Sequence, residues 1–197
     1  VMIGDTLPQN QLRFGDASQK MPDPHVWFDV KMWKQCTEYA YSQLKIHFPE
    51  TVNEDKYTDY IHRLDDLDLW VKNQIQSIPK PQRVLITAHD AFSYFGDAYD
   101  IEVVGLQGIS TMAEYGIRDI TNMVNRIVSK KIKSVFVESS VSSRSIEAVI
   151  AGCKERGFDV TQGGTLYSDA LGGKNSGAEN YIDMVKTNVN TIKKALL

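Results

Sequence analysis

Beyond Pro81 the chain repeats one pattern: a short run, apolar and β-branched at nearly every position, followed by a stretch of helical period. Arg83–Ala88 (RVLITA), Ile101–Leu106 (IEVVGL), Ser134–Val137 (SVFV) and Asp159–Leu166 read as strands. Residues 115–131, 143–156 and 178–195 read as helices between and after them. Strands that are apolar throughout cannot keep one face in water, and strand–helix–strand alternation favours parallel pairing. Residues 81–197 are therefore expected to form an α/β domain, a parallel sheet covered by helices.

The first part of the chain has a different texture. Residues 1–28 hold Pro, Gly, Asp and Gln without strand or helix period and read as loop. From Asp29, a plausible N-cap, Val30, Trp33, Ala40, Leu44 and Phe48 fall near a helical stripe that Pro49 ends. Asn53 then caps a longer helix, in which Tyr57, Ile61, Leu64, Leu67, Val71, Ile75 and Ile78 advance by three or four until Pro79. About 24 residues at about 1.5 Å each span roughly 36 Å, enough to tie two lobes together. The organisation expected is residues 1–50 as the end of an amino-terminal lobe, 51–80 as a linking helix, and 81–197 as a carboxy-terminal lobe.

Charge and composition narrow the function classes. Lys and Arg number 22 against 25 Asp and Glu, a net charge of −3 that lacks the basic excess of a nucleic-acid binder. No apolar run approaches the roughly 18 residues that cross a bilayer. Cys36 and Cys153 are far apart, neither in a CxxC pair, and read as free, half-buried thiols rather than a disulfide. The chain opens VMIGDTLPQNQ, with no Met start and no signal-like apolar segment, so any export signal is expected upstream.

Ligands of open parallel sheets bind beyond the carboxyl ends of the strands, and metal-type side chains stand at several such ends. His89 and Asp90 close the first strand, Glu138 closes the third and Asp169 follows the last. Each also has an ordinary structural explanation: Asp90 capping AFSYF, Glu138 pairing Arg144, Asp169 in a turn. Their common placement favours a site. His25, in Asp23-Pro24-His25-Val26-Trp27, is a further candidate, because proline holds its neighbourhood extended and the aromatic walls it. His47 and His62 lie among polar neighbours on helices and read as surface residues. No GxSxG, HExxH or GxGxxG is present. Gly172-Gly173-Lys174 resembles a P-loop end, yet Ser168 occupies the first Gly position and Asn175 replaces Ser or Thr, so nucleotide binding is excluded.

DPHVWFD (23–29), the long helix ending in proline, TAHDAFSYF (87–95), GLQGIST (105–111), VFVESSVSS (135–143), GGTLYSDALG (163–172) and YIDMVKTNV (181–189) occur in this order. On these motifs the chain resembles the metal-binding solute-binding proteins of bacterial manganese, zinc and iron ABC importers, the TroA-like or cluster A-I family. The resemblance covers nearly everything from residue 23 onward. It implies two α/β lobes joined by one long helix, with a metal between them. The DPHxW histidine maps onto His25, the TAHDAF histidine onto His89, where other members carry Glu, and the SDA(L/I)G aspartate onto Asp169. A fourth ligand, a histidine of the amino-terminal lobe, has no match and is expected upstream of Val1. Glu138 is expected to orient a ligand or to pair Arg118 or Arg144.

The resemblance implies an extracytoplasmic receptor, periplasmic or lipid-anchored, that takes Mn²⁺ or Zn²⁺, with Fe²⁺ as a further candidate, and delivers it to an ABC permease. Two imidazoles and a carboxylate suit all three ions, and His rather than Glu at 89 weakens strict manganese selectivity. No catalysis is expected. A metal-dependent hydrolase using the same His/His/Asp set is the alternative from another class, but no general base stands at helical spacing from a ligand. An adhesin-type surface protein is the third, without a surface to support it. His89 and Asp169 are both expected on a rim, where substitution leaves the lobe folded. Apolar surface left uncovered by an absent lobe is expected to favour artificial dimers.

Overall fold

A computed structural model describes residues 6–14, 21–109 and 116–197. Parts of the 1–28 loop (1–5 and 15–20), the end of GLQGIST and the first residue of the 115–131 stretch lie outside the described residues. The chain divides into two compact units, with the boundary between Lys72 and Asn73 inside the second helix.

The first unit is built on a helical hairpin. Helix α1 (Val30–His47) starts where Asp29 accepts hydrogen bonds from the Lys31 and Met32 amides at 2.8 and 3.3 Å, satisfying two donors that every helix start leaves open. A 3-10 turn at Pro49–Thr51 reverses the chain. Helix α2 (Glu54–Gln76) then begins with Asn53 accepting from the Lys56 amide at 2.9 Å. The two helices run antiparallel. Lys31 faces Asp68, Lys34 meets Asp65 at 2.6 Å, Trp33 donates to the Tyr60 hydroxyl at 3.1 Å, and Tyr41 stacks on Tyr57 at 3.8 Å. On α2 the apolar stripe is buried as expected through Leu64, Leu67, Val71 and Ile75. On α1 it is not. Val30, Met32 and Cys36 are buried, whereas Leu44 and Phe48 are about half exposed, so burial is confined to the first half of the helix. The described part of residues 1–28 holds two 3-10 turns, Gln9–Gln11 and Val26–Phe28, and one bridge between Phe14 and Pro22.

The second unit is α/β. Strands β1 (Val84–His89) and β2 (Glu102–Gln107) pair in parallel from Val84↔Glu102 to His89↔Gln107. Strands β3 (Ser134–Glu138) and β4 (Thr161–Leu166) form a second parallel pair with a bulge at Val135/Phe136. The single parallel sheet of the sequence reading is thus two parallel ladders, with β1 lying beside β3. Every residue of β1 and β3 is buried, as parallel strands covered on both faces must be. Arg83 precedes β1 because its guanidinium turns back to the Gln76 and Ile78 carbonyls and Asp100.

Helix α3 (Ser93–Tyr99) follows β1. At seven residues it is too short to show a period, and the sequence offers it only through Asp90 as a possible cap for AFSYF. Helices α4 (Ile117–Lys130) and α5 (Arg144–Glu155) bury Met123, Val124, Ile127, Ile146, Val149 and Cys153 in one core with Ile86, Val135 and Val137. Helix α6 (Tyr181–Leu196) packs on β4 at Gly163, where an added Cβ would come within 2.7 Å of Ala195 and 2.8 Å of the Phe136 ring. Only glycine permits that approach. Neither cysteine is in a disulfide, both are fully buried rather than half-buried, and burial pushes both thiols above their ordinary pKa. Among the described residues no helix is long and apolar enough to cross a membrane.

Candidate metal centre

Three of the candidate side chains converge at the carboxyl ends of the strands in the second unit. His89 is the last residue of β1 and wholly buried; Glu138 is the last residue of β3 and 3% exposed. Their link is double. Glu138 Oε1 accepts the His89 main-chain N–H at 2.9 Å, and Oε2 lies 2.6 Å from His89 Nδ1. Both oxygens of Glu138 are thereby committed to His89 rather than to Arg118 or Arg144. One carboxylate joins the ends of two strands and fixes the ring at the same time.

Asp169 approaches from the other side of the imidazole. It follows β4 in the turn Tyr167–Ser168–Asp169, with its carboxylate Oδ2 3.6 Å from His89 Nε2 and about one third exposed. The turn is held from two directions. Asn188 of α6, buried, accepts the Tyr167 N–H at 2.9 Å and donates to the Tyr167 carbonyl at 2.8 Å. The Ser168 hydroxyl meets the Ser140 hydroxyl at 2.6 Å, tying the turn to the loop after β3. Sequence reasoning missed Asn188. A buried amide on an apolar helix face is its only signal.

Asp90 does not cap α3 in the usual way. The N-cap position is Phe92, and Asp90 accepts from the Ser93 hydroxyl at 2.7 Å. Beside it, β2 passes so close at Gly105 that a Cβ there would lie 2.6 Å from the Asp90 nitrogen and 2.8 Å from the His89 carbonyl carbon. Glycine at 105 therefore sets how His89 and Asp90 emerge from the strand.

The electrostatics of the His89 ring follow from these neighbours. Burial pushes its pKa down, but the Glu138 hydrogen bond and the charges of Glu138, Asp169 and Asp90 outweigh burial and raise it above 6.5. Nε2 and the Asp169 oxygen stand 3.6 Å apart, too far for a hydrogen bond. Metal–ligand bonds of about 2.0–2.2 Å at a tetrahedral angle separate their donor atoms by about 3.4 Å, so the spacing fits a shared ion. His89 does stand at the carboxyl end of β1, on the expected rim, but its ring is fully buried there, with Glu138 against Nδ1.

His25 lies in the first unit, at the start of the 3-10 turn Val26–Phe28, and is 3% exposed. Its Nδ1 is 2.6 Å from Asp23 Oδ1 and its ring meets the Trp27 ring edge-on at 5.2 Å. His47 and His62 are exposed on their helices.

Comparison with known proteins places these residues in context. The family described as zinc-uptake complex component A, periplasmic (ZnuA), matches residues 4–195. The manganese-binding lipoprotein MntA of Bacillus subtilis is 43% identical over 196 residues, covering 98% of this chain and 64% of MntA. The zinc-binding protein TroA of Treponema pallidum is 39% identical over 198 residues, covering all of this chain and 64% of TroA. The solved structure of periplasmic TroA superposes with a TM-score of 0.94 over the whole chain and 71% of the TroA structure. Fe(III)-bound YtgA of Chlamydia trachomatis, 25% identical, superposes with a TM-score of 0.82 over 91% of this chain and 65% of YtgA. The chain thus spans about two thirds of the length of the curated relatives it matches, 64% in each of the first two.

Proposed function

This chain belongs to the zinc-uptake complex component A family, and from that premise we propose that it is the capture component of a metal importer. It binds one divalent transition metal ion outside the cytoplasmic membrane and passes it to an ABC permease, without turnover. His25, His89 and Asp169 are the protein ligands, Glu138 orients His89, and helix α2 links the lobe that holds His25 to the one that holds His89 and Asp169. The extracytoplasmic placement is supported by MntA being a lipoprotein and TroA a periplasmic protein.

One observation carries the reading: His89 Nε2 and Asp169 Oδ2 face each other at 3.6 Å while Glu138 occupies Nδ1. A cation between them would be bound by both. The donor set of nitrogen and oxygen accepts Zn²⁺, Mn²⁺ and Fe²⁺; intrinsic affinity favours Zn²⁺ over Mn²⁺ at such sites, so choice between them depends on coordination geometry and supply. MntA binds manganese, TroA zinc, and YtgA is known with Fe(III); among these, Mn²⁺ and Zn²⁺ are the cargo assigned to this chain.

Elemental analysis of the purified protein, followed by a Mn²⁺/Zn²⁺ competition titration, tests the proposal. One ion per chain is expected. Asp169→Ala removes a partly exposed ligand and should abolish tight binding with an unchanged circular dichroism spectrum. His62→Ala should bind as wild type. A wild-type protein that retains no metal and takes up none would overturn the reading.

A further inference from the structure

Asp23 is a buried carboxylate, 1% exposed, two residues before His25. Its Oδ1 accepts the His25 main-chain N–H at 3.0 Å and stands 2.6 Å from His25 Nδ1. A single oxygen therefore grips one residue at two points. The intervening Pro24 makes this arrangement local and stiff. Proline has no N–H to compete for the carboxylate, and its ring fixes φ, so the nearest main-chain donor Asp23 can reach is that of His25. The His25 carbonyl in turn accepts from the Phe28 amide at 3.2 Å, closing the 3-10 turn, and Trp27 stands edge-on against the imidazole. The ring is fixed in position, in orientation and at one nitrogen, all by residues within five positions of chain.

The same 2.6 Å carboxylate–Nδ1 distance recurs between Glu138 and His89, built there from two strand ends instead of a turn. Two unrelated local structures thus bring a carboxylate oxygen to the same distance from Nδ1. A structural role alone does not require an imidazole in either place, since a buried carboxylate is more cheaply satisfied by main-chain amides; a ligand role does. Metal-bound histidines commonly donate their second ring N–H to a carboxylate, which selects the tautomer and strengthens the donor nitrogen.

We propose that Asp23 is the positioning residue of His25: it holds the ring in the Nδ1–H tautomer, so that Nε2 is the atom offered to the metal. The proposal rests on the reading of His25 as a ligand. It goes beyond that reading by assigning the donor atom and the residue that selects it.

The first test needs no variant. Long-range ¹H–¹⁵N correlation spectra of the metal-free protein at mildly alkaline pH report which ring nitrogen of His25 carries the proton. Nδ1–H is expected, against the Nε2–H form that an isolated imidazole prefers, and finding Nε2–H overturns the proposal. The second test measures Zn²⁺ affinity by chelator competition for His25→Ala, Asp23→Ala and Asp23→Asn. Asp23→Ala should lose about 10- to 100-fold in affinity and release the ring to Nε2–H. Asp23→Asn keeps an acceptor oxygen in place and should hold the Nδ1–H tautomer with a smaller loss. If His25→Ala weakens binding while Asp23→Ala binds as wild type, the proposal fails and the ligand reading stands. If His25→Ala binds as wild type, the ligand reading fails and takes the proposal with it. An Asp23→Ala protein that loses affinity with the tautomer unchanged also overturns the positioning role.

Discussion

Glu138 is where stability and metal binding can be separated most sharply. Replacing it with Ala orphans two buried groups of His89, the main-chain N–H now 2.9 Å from Oε1 and the Nδ1 now 2.6 Å from Oε2. A buried polar group left without its partner costs about 1–3 kcal/mol, so the two together predict a loss of roughly 2–6 kcal/mol. That range agrees with the about 3–5 kcal/mol found when one member of a buried pair is removed. It is a large share of the about 5–15 kcal/mol that holds an ordinary domain folded.

Glu138→Gln behaves differently. Its amide oxygen can still accept the His89 main-chain N–H, so the stability loss should fall to about 1–2 kcal/mol. Its NH₂ group, however, lands against Nδ1. A donor there forces the ring proton onto Nε2, the atom facing Asp169. Metal must then displace that proton, and Zn²⁺ affinity should fall by about 10- to 100-fold or more despite the mild effect on folding. Urea unfolding of the metal-free proteins gives the first quantity and chelator competition the second. A Glu138→Gln protein with wild-type affinity would refute the argument, because then either Nε2 is not the donor or Glu138 does not select it. A Glu138→Ala protein as stable as wild type would refute the energetic half.

The raised pKa of His89 sets a pH dependence for the metal-free protein. Its stabilisation is complete below the ordinary imidazole value of 6.5 and drains away as pH rises through the higher folded value, so urea midpoints should fall on going alkaline and Glu138→Gln should flatten the slope. Asn188→Ala leaves both polar groups of the Tyr167 peptide unmatched, predicting a loss of about 2–4 kcal/mol together with faster amide exchange at Tyr167; slow exchange in the variant would show that the clamp does not hold the turn. Gly105→Ala places a methyl group 2.6 Å from the Asp90 nitrogen, and the backbone shift it demands should cost about 1–3 kcal/mol and weaken Zn²⁺ binding; unaltered binding would mean that β2 does not set the position of His89.

Much of this architecture was legible in the chain because periodicity reports burial directly. The α2 stripe from Leu64 to Ile75, the caps at Asp29 and Asn53 and the four apolar runs are all local signals, and their elements stand within a few residues of where they were read. What misled was not local. The α1 residues Val30, Trp33, Ala40, Leu44 and Phe48 are spaced like one core stripe, but its far end, Leu44 and Phe48, is left about half exposed. Spacing reports a face and not how far along it packing extends. Helix α3 has too few turns to show a period, and it forms because Phe92, Phe95 and Tyr99 pack on one another. The site residues were visible as metal-type side chains at strand ends. Their partners were harder. Glu138 has arginines nearby in sequence, yet it turns to a histidine 49 positions away, a pairing that only the adjacency of β1 and β3 creates. Asp23 lies in a motif that was read for its histidine alone.

Placement of the candidate ligand and construction of the sheet are, at His89, one event. Parallel strands end with main-chain groups that no neighbouring strand satisfies, and here the last N–H of β1 is satisfied by a side chain from the last residue of β3. The carboxylate that repairs this defect has a second oxygen, and that oxygen reaches Nδ1. Burying such a carboxylate is costly unless a partner compensates it, and the imidazole is that partner. Satisfying the strand end therefore leaves the far ring nitrogen on the side of Asp169, which follows β4. The negative charge that Glu138, Asp169 and Asp90 gather around the buried ring raises its pKa. In the metal-free protein a proton on His89 therefore balances that charge, and the proposed cation would take the proton's place.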